Sequence, residues 1–240
     1  MESSKRNFVV IVPAAGVGKR MQSQCPKQYL TIDGMTILEH TVTRLLSHVA
    51  IEKVVIALGE DDAYFVDSCL NKNENVSIVI GGNERVDSVL SALKSIDKTQ
   101  YPWVLVHDAA RPCISHRDIS ALIENTLATK TGGLLAMRVR DTMKRGIREQ
   151  EKNLVKQTVE RNELWHALTP QMYRSDELQD AIMYALSEHV GLTDESSAME
   201  YAGFGSALVE GSSDNIKITR PDDLSLAEFI LNKQKNDINK

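Results

Sequence analysis

The sequence predicts an α/β fold, in which a mostly parallel, twisted sheet carries helices on both faces. Short apolar runs rich in β-branched residues recur along the chain, and segments with helical periodicity separate them. Strands and helices that alternate in this way form right-handed crossovers, which make neighbouring strands parallel. A length of 240 residues fits a single domain around one core.

The predicted strands are apolar runs bounded by turn residues, each too short for a helix. They cover Phe8 to Val12, Lys53 to Leu58, Val76 to Ile80, Trp103 to His107 and Gly133 to Val139. Helices are predicted over Ile37 to Leu46, Asp61 to Leu70, Arg85 to Ser95, Ile119 to Lys130 and Pro221 to Lys233. Two helix starts have the spacing of a capping box, namely Thr36 with Glu39 and Ser115 with Asp118.

The alternation stops between Arg140 and Arg161, where the sequence is dense in charge and has a turn-like centre at Gly146 to Asn153. A connection of this length is unusual in a compact domain. We expect two short strands that project as an arm and pack on another subunit. The whole chain, residues 1–240, is therefore interpreted as one domain with a dimerisation arm at about 140–161.

Composition excludes several classes of function. With 28 basic and 33 acidic residues the net charge is −5, so no global field favours nucleic acid. The apolar run Phe8 to Val17 is too short to cross a membrane, and Met1 to Asn7 carry no signal-peptide core. We therefore expect a cytoplasmic protein without a membrane partner. Three cysteines without a C-x-x-C pair argue against a disulfide framework.

The first candidate site follows the first strand and reads Pro13-Ala14-Ala15-Gly16-Val17-Gly18-Lys19-Arg20-Met21. Small residues and two glycines let backbone amides approach a triphosphate closely. The segment lacks the third glycine of a dinucleotide fingerprint and the Ser or Thr of a Walker A loop. Such a turn alone is more often just a flexible connection. Arg20 and Lys27 favour catalysis, because paired cations stabilise charge on a phosphorus centre in its transition state.

Two further candidate segments also follow predicted strands, so all three lie at the carboxyl edge of the sheet, where ligands bind. In the segment from Gly81, Gly82 and Ser88 could bond a base edge, although a helix cap explains them equally well. In Val106-His107-Asp108-Ala109-Ala110-Arg111-Pro112, the carboxylate of Asp108 suits a Mg²⁺ ion that bridges nucleotide phosphates. The alternative for Asp108 is an N-cap or a salt bridge to Arg111.

Near the C-terminus, Lys217 lies between Ile216 and Ile218, an unusual place for a lysine unless its side chain enters a site. An edge-strand lysine that faces water is an equally good interpretation. Other chemistries have less support, since the sequence has no H-E-x-x-H metal motif and no G-x-S-x-G elbow.

Taken together, these motifs resemble the 2-C-methyl-D-erythritol 4-phosphate cytidylyltransferases of the non-mevalonate isoprenoid pathway. The resemblance covers nearly the whole chain and also includes P-K-Q-Y at Pro26, R-D-T at Arg140, T-P-Q at Thr169, T-D-E at Thr193 and N-I-K-I-T at Asn215. It implies a Rossmann-like nucleotidyltransferase fold with a protruding β-arm that builds a homodimer. It also implies CTP and methylerythritol phosphate as substrates, with Mg²⁺ or another divalent cation.

The resemblance also implies roles for individual residues. The catalytic groups would be Arg20, Lys27, Arg161 and Lys217. CTP would be held by Pro13, Ala14, Ala15, Gly16, Gly82, Asn83, Ser88, Asp108 and Ala109, with Asp108 also at the metal. Methylerythritol phosphate would contact Arg111, Thr142, Arg161, Thr193 and Lys217, with Arg111 and Thr142 on the partner subunit's side of the interface. Asn83 stands where many relatives have an acidic residue.

Two alternatives stay open. Ribitol-5-phosphate cytidylyltransferases are similar in fold and in several motifs, but have A-G-G and D-A-V-R-P where this chain has Ala14-Ala15-Gly16 and Asp108-Ala109-Ala110-Arg111-Pro112. A non-catalytic CTP-binding or scaffolding dimer would require the loss of a key cation, yet Arg20, Lys27, Arg161 and Lys217 are all present.

Overall fold

The computed structural model describes residues 8–16 and 25–238, and its centre is a seven-stranded sheet. The strands are β1 (Phe8–Pro13), β2 (Thr31–Ile32), β3 (Met35–Thr36), β4 (Ile51–Leu58), β5 (Val76–Ile80), β6 (Trp103–Val106), β7 (Gly133–Arg138), β8 (Met143–Glu149), β9 (Lys152–Val159), β10 (Trp165–Arg174) and β11 (Ala207–Glu210). The order in the central sheet is β11-β7-β10-β6-β1-β4-β5. Its pairings are parallel except those of β10, which runs antiparallel to β6 and β7.

Helices cover both faces of this sheet, as predicted. They are α1 (Ile37–Leu46), α2 (Arg85–Ser95), α3 (His116–Thr129), α4 (Ser175–Ser187), α5 (Glu195–Tyr201) and α6 (Asp222–Ile238). Successive residues of β1 point to opposite faces: Val10 packs in one core cluster with α1 and α3, and Ile11 in another with α2 and α4. Both faces of β1 are buried, which explains why its sequence is a continuous apolar run. In the described ranges, no helix has the length and apolar character needed to cross a membrane.

Side-chain caps stand at the starts of two predicted helices. At α1, the Thr36 hydroxyl accepts from the amide of Glu39, and Glu39 accepts from the amide of Thr36, which closes the predicted capping box. At α3, Ser115 accepts from the amide of Asp118, but the Asp118 carboxylate accepts from Ser212 instead of closing a box. Its cap extends α3 to His116, three residues before the predicted start.

The helix predicted over Asp61 to Leu70 is wrong. The structure has two short 3₁₀ helices there, Phe65–Asp67 and Cys69–Lys72. The Asp62 carboxylate accepts from the amides of Tyr64 and Phe65, and the Ser68 hydroxyl accepts from the amide of Leu70. Short polar side chains that bond nearby amides compete with a continuous helix, so the segment folds as separate turns.

The two strands expected in the arm are present. Strands β8 and β9 pair in antiparallel fashion and form a two-stranded sheet of their own. Gln150 and Glu151 join them with positive φ angles of 44° and 65°, the backbone of a tight hairpin turn that matches the twist of the strands. Apolar side chains of this hairpin are exposed, with Leu154 at 45% and Val155 at 64%. The hairpin thus presents apolar surface that it does not bury itself.

Candidate active site

An open cleft lies at the carboxyl edge of the parallel strands, where the sequence predicted a site. From the first turn and the segment behind it, the cleft is lined by Pro13, Ala15, Gly16 and Lys27. From the three later segments, it is lined by Gly82, Asn83, Ser88, Asp108, Ala109 and Lys217. The structure therefore brings together residues from the whole length of the chain. Arg20 lies outside the described residues.

Asp108 is the electrostatic centre of the cleft, with a side chain only 9% exposed. Its Oδ1 lies 3.1 Å from Arg85 Nε, while its Oδ2 lies 3.2 Å from Arg111 Nε and 2.8 Å from Lys217 Nζ. Burial alone would raise the pKa of Asp108, but the nearby charges of Arg85, Lys217 and Arg111 lower it far below its usual value. Asp108 is therefore an ionised carboxylate at every physiological pH.

A buried hydrogen-bond chain holds Asp108 from behind. The Asp108 amide donates to Thr169 Oγ1 over 3.1 Å, so the Thr169 hydroxyl hydrogen is left to donate to His107 Nδ1 over 3.0 Å. His107 Nε2 then carries the ring hydrogen and donates to the carbonyl of Arg111 over 3.1 Å. His107 is fully buried, and this burial lowers its pKa to about 4. A neutral imidazole thus fixes both ends of the loop that carries Asp108.

Lys27 and Lys217 meet at the cleft from opposite ends of the chain. Lys27 Nζ donates to the carbonyl of Ile218 over 3.2 Å, one residue beyond Lys217. The 3₁₀ helix Lys27–Tyr29 is itself anchored to the first turn, since the buried amide of Gln28 donates to the carbonyl of Ala14 over 2.7 Å. Because Ala14 also donates its amide to Ala57, this residue belongs to the scaffold, while Ala15 and Gly16 line the cleft.

The segment that starts at Gly81 packs so tightly that two of its positions require glycine. A Cβ on Gly82 would lie 2.3 Å from Cβ of Asp87, and one on Gly81 would lie 2.6 Å from Oγ of Ser88. The Ser88 hydroxyl accepts from the Gly82 amide over 3.2 Å and donates to the carbonyl of Glu84 over 3.3 Å. Ser88 therefore shapes this wall of the cleft, while the start of α2 is capped by Glu84 and Asp87.

The remaining predicted substrate residues lie in other places. Arg111 is buried in its own chain, with Nη1 donating to the carbonyl of Asn215 over 2.7 Å. Its guanidinium is engaged by Asp108 and Asn215 of the same chain, and the expected contact of Arg111 across a subunit interface stays a prediction. Thr193 lines a small neighbouring cleft that shares Arg85 with the main one. Thr142 and Arg161 lie at the base of the arm and, in the described ranges, do not line the cleft.

Sequence reasoning missed Arg85 and Glu195. Arg85 Nη1 lies 2.6 Å from Oε1 of Glu195, a side chain that is only 2% exposed. Burial opposes the charge of Arg85, but the carboxylates of Glu195 and Asp108 raise its pKa further above its ordinary value. Both residues stand inside motifs, G-G-N-E-R and T-D-E, whose other members attracted attention. Their pairing joins distant segments and leaves no trace in local spacing.

A divalent cation fits this cleft only with help from the nucleotide. Among the described residues, no three His, Cys, Asp or Glu side chains are grouped as a metal site. Mg²⁺ usually binds one or two carboxylates, with substrate phosphates and water completing its shell. Each carboxylate oxygen can accept two bonds, and among residues 8–16 and 25–238 Asp108 Oδ1 has only Arg85 as an ion-pair partner. Asp108 can therefore supply one ligand.

Comparisons with known proteins show which family the chain is similar to. The family model for 2-C-methyl-D-erythritol 4-phosphate cytidylyltransferase matches residues 8–233. A relative with that name from Colwellia psychrerythraea is 57% identical, over 99% of this chain and 100% of its own. A crystal structure described as 4-diphosphocytidyl-2C-methyl-D-erythritol synthase superposes with a TM-score of 0.80 at 32% identity, covering 95% of this chain and 99% of the other.

A crystal structure of the cytidylyltransferase from Francisella tularensis superposes with a TM-score of 0.79 at 35% identity, covering 93% of this chain and 99% of the other. The similarity in fold and sequence thus extends from β1 to the last helix and includes every segment that lines the cleft. Because the match is this complete, the chain belongs to the 2-C-methyl-D-erythritol 4-phosphate cytidylyltransferase family.

Proposed function

We propose that this protein transfers CMP from CTP to 2-C-methyl-D-erythritol 4-phosphate, giving 4-diphosphocytidyl-2-C-methyl-D-erythritol and pyrophosphate in non-mevalonate isoprenoid synthesis. The observation that carries this function is the meeting of Lys27 and Lys217 beside the glycine turn and Asp108. Two cations opposite a turn of small residues suit a reaction in which negative charge develops on a phosphorus centre.

The chemistry needs no nucleophile from the protein. The phosphate monoester of the substrate is mostly ionised at neutral pH, since its second pKa is about 6. Its oxygen attacks the α-phosphorus of CTP in line, the bond to the β-phosphate oxygen breaks, and pyrophosphate leaves. The protein holds the two substrates at reacting distance and stabilises the charge that spreads over the non-bridging oxygens. We assign that stabilisation to Lys27, to Lys217 and, from its motif, to Arg20.

The two substrates approach from different sides of Asp108. We assign the nucleotide to the side of Gly82, Asn83 and Ala109, which line the main cleft. The polyol phosphate is assigned to the side of Lys217, where an adjoining opening is lined by Arg111 and His166 among others. Lys217 lines both spaces, which supports its assignment to the attacking phosphate.

The cation is proposed to be Mg²⁺, with Asp108 as its protein ligand. When bound, it would neutralise part of the charge of the triphosphate and of the leaving pyrophosphate. Asp108 suits this role because its pKa is strongly lowered and its carboxylate stays ionised. Another divalent cation with oxygen ligands would be held in the same way.

We also propose that the chain is one nucleotidyltransferase domain that works as a homodimer through its arm. The exposed apolar side chains of the hairpin, including Leu154 and Val155, support an interface there. Thr142 and Arg161 at the base of the arm would then complete the polyol phosphate site of the partner. A cytoplasmic location stays a prediction, which cell fractionation would test.

The function is tested by following pyrophosphate release from CTP and Mg²⁺, with methylerythritol phosphate and ribitol phosphate in separate reactions. Release with methylerythritol phosphate alone, abolished by a metal chelator, is the expected result. Release only with ribitol phosphate would support cytidylyl transfer but would contradict methylerythritol phosphate as the acceptor. No release with either acceptor would favour a non-catalytic CTP-binding protein.

A further inference from the structure

We infer that Arg85 is a positioning residue, which sets the direction of the Asp108 carboxylate and is itself held in place by Glu195. This inference rests on the proposed function, because it concerns the carboxylate assigned to the nucleotide and its metal. It gives a role to the T-D-E motif, whose carboxylate at Glu195 lies behind the cleft rather than in it.

The first argument is the geometry of the Arg85 guanidinium. Its Nε donates to Asp108 Oδ1 over 3.1 Å, and its Nη1 and Nη2 donate to the two oxygens of Glu195 over 2.6 and 3.1 Å. A guanidinium is a rigid planar fork, so a bidentate contact on one edge fixes the direction of its other donors. The position of Arg85 Nε is thus determined by Glu195.

The second argument is that Glu195 is itself held firmly. It lies in the first turn of α5, and the buried side chain of Gln171 ties that turn to β10. Gln171 donates its amide to Asp194 Oδ2 over 2.8 Å and accepts from the amide of Ser196 over 2.8 Å. In the sheet, Gln171 stands opposite Val106, two residues before Asp108. Glu195 is therefore connected to Asp108 by two routes. One runs through the guanidinium of Arg85, and the other runs through Gln171 and the sheet.

The third argument concerns what Asp108 would do without Arg85. Its Oδ2 already meets two cations, Arg111 and Lys217, whereas Arg85 is the one ion-pair partner of Oδ1 in the part of the chain that the structure describes. If Arg85 were lost, both remaining attractions would act on one oxygen, and the carboxylate could rotate about its Cβ–Cγ bond. A metal ligand whose supporting partner is removed typically loses about 10- to 100-fold in metal affinity or activity. Arg85 thus keeps one lone pair of Oδ1 available to the cleft.

The test compares Arg85→Lys, Arg85→Gln, Glu195→Gln and the double variant Arg85→Gln/Glu195→Gln. Glu200→Gln is the matched control, because Glu200 lies on the same helix but is exposed. Three quantities are measured in each protein: kcat, the Mg²⁺ concentration that gives the half-maximal rate, and the affinity for CTP in the presence of Mg²⁺, the last by calorimetry. Circular dichroism and thermal unfolding show which variants are folded.

We expect kcat to fall about 10- to 100-fold in all three single variants at Arg85 and Glu195, and half-saturating Mg²⁺ to rise severalfold. The double variant should lose no more kcat than Arg85→Gln alone, since Glu195 acts only through Arg85. Glu200→Gln should match the wild-type protein. CTP affinity in the presence of Mg²⁺ should fall in the same variants.

Three results would overturn the inference. A wild-type rate in Arg85→Lys would mean that the positive charge of residue 85 is sufficient and that the bidentate geometry of the guanidinium is not needed. Losses that multiply in the double variant would give Glu195 a separate structural role. Unchanged Mg²⁺ dependence and CTP affinity in a folded Arg85→Lys protein would show that Asp108 does not depend on Arg85. Inactivity of the wild-type protein would contradict the proposed function instead, and the binding measurement would still decide the role of Arg85.

Discussion

The ammonium of Lys217 lies 2.8 Å from Asp108 Oδ2 and joins the C-terminal motif to the loop after β6. The two side chains differ in exposure, since Lys217 is 38% exposed and Asp108 only 9%. The lysine can therefore reach an incoming ligand while the carboxylate stays in the wall. An equally good interpretation of the sequence was an edge-strand lysine facing water, and the structure excludes it because residues 211–219 form no strand.

Replacing Lys217 should mainly harm the step that uses the polyol phosphate. For Lys217→Ala we expect kcat to fall about 10²- to 10³-fold, the usual effect of losing one group that stabilises developing charge. The KM for methylerythritol phosphate should rise and that for CTP should change little. Steady-state kinetics with each substrate varied in turn would measure this. Lys233→Ala is the control, because that lysine pairs with Asp214 on the surface. An equal rise in both KM values would contradict the assignment.

Replacing Lys27 should reduce turnover far more than CTP affinity. Its contact with the phosphate oxygens strengthens mainly in the transition state, so Lys27→Ala loses stabilisation that the bound ground state never had. We expect kcat to fall by about 10²-fold or more, with the Kd for CTP within severalfold of the wild-type value. Single-turnover kinetics and calorimetry measure the two quantities separately. Comparable losses in both would mean that Lys27 serves only to bind the nucleotide.

The fold was largely predictable because its signals are local. The bounds of α1 and α2 agree with the prediction, and at α1 the cap of Thr36 and Glu39 stands next to the helix it starts. Strand β10 was not predicted, because Pro170 interrupts its apolar pattern. The structure has a register shift at the same place, between Ala167 and Gln171. The predicted helix from Asp61 failed because short polar side chains there bond the backbone.

The site was predictable in part, for a different reason. Asp108 and Lys27 were predicted for this edge because each stands beside a strand end or a glycine turn, and both line the cleft. Their partners could not be found in this way. The bond from Lys27 to Ile218 and the pair of Arg85 with Glu195 join segments far apart in the sequence. Such pairs depend on how the whole sheet and its loops fold, and no local spacing encodes them.

If the arm completes the partner's site, two inactive variants should restore activity when mixed. Arg161→Ala removes a residue of the arm, and Lys217→Ala removes one of the cleft. In a mixed dimer, one site would carry both changes and the other neither. We expect each variant alone to be nearly inactive and the exchanged mixture to recover up to about a quarter of the wild-type rate, by random pairing of a two-fold dimer.

The control for this experiment disrupts the interface itself. Val155→Asp places a charge on an exposed apolar position of the hairpin and should weaken the dimer, as light scattering would show. It should also abolish the recovery in the mixture. A monomeric wild-type protein at micromolar concentration, or no recovery from a mixture that has exchanged subunits, would contradict the shared site.

Thr169 should matter for both stability and activity through one hydroxyl. Thr169→Val keeps the shape but leaves two buried groups without their partner, the amide of Asp108 and Nδ1 of His107. An unsatisfied buried group costs about 1–3 kcal/mol, so we expect a loss of this order in the free energy of unfolding, with lower kcat. Thr169→Ser, which keeps the hydroxyl, should recover most of both. Urea denaturation at pH 7 measures the stability. A Thr169→Val protein with wild-type stability and activity would contradict the role assigned to the Thr169 hydroxyl.

The neutral state of His107 predicts how stability depends on pH. Burial lowers its pKa to about 4 in the folded protein, while an unfolded histidine has a pKa of about 6.5. Between these values the unfolded chain binds the proton and the folded chain does not, so stability is lost as the pH falls from about 6.5 towards 4. A shift of this size lowers the free energy of unfolding by about 2 kcal/mol as the pH falls across most of that window.

His107→Gln cannot take up this proton, so its unfolding free energy should fall less steeply over the same pH range. The matched control is His166→Gln, which also removes one imidazole, but from an exposed position. Denaturation curves at half-unit steps from pH 7 to pH 4.5 would measure all three proteins. Equal slopes in wild type and His107→Gln would show that His107 is protonated in the folded protein. In that case Nδ1 could not accept from Thr169, and the hydrogen-bond chain behind Asp108 would have to be assigned differently.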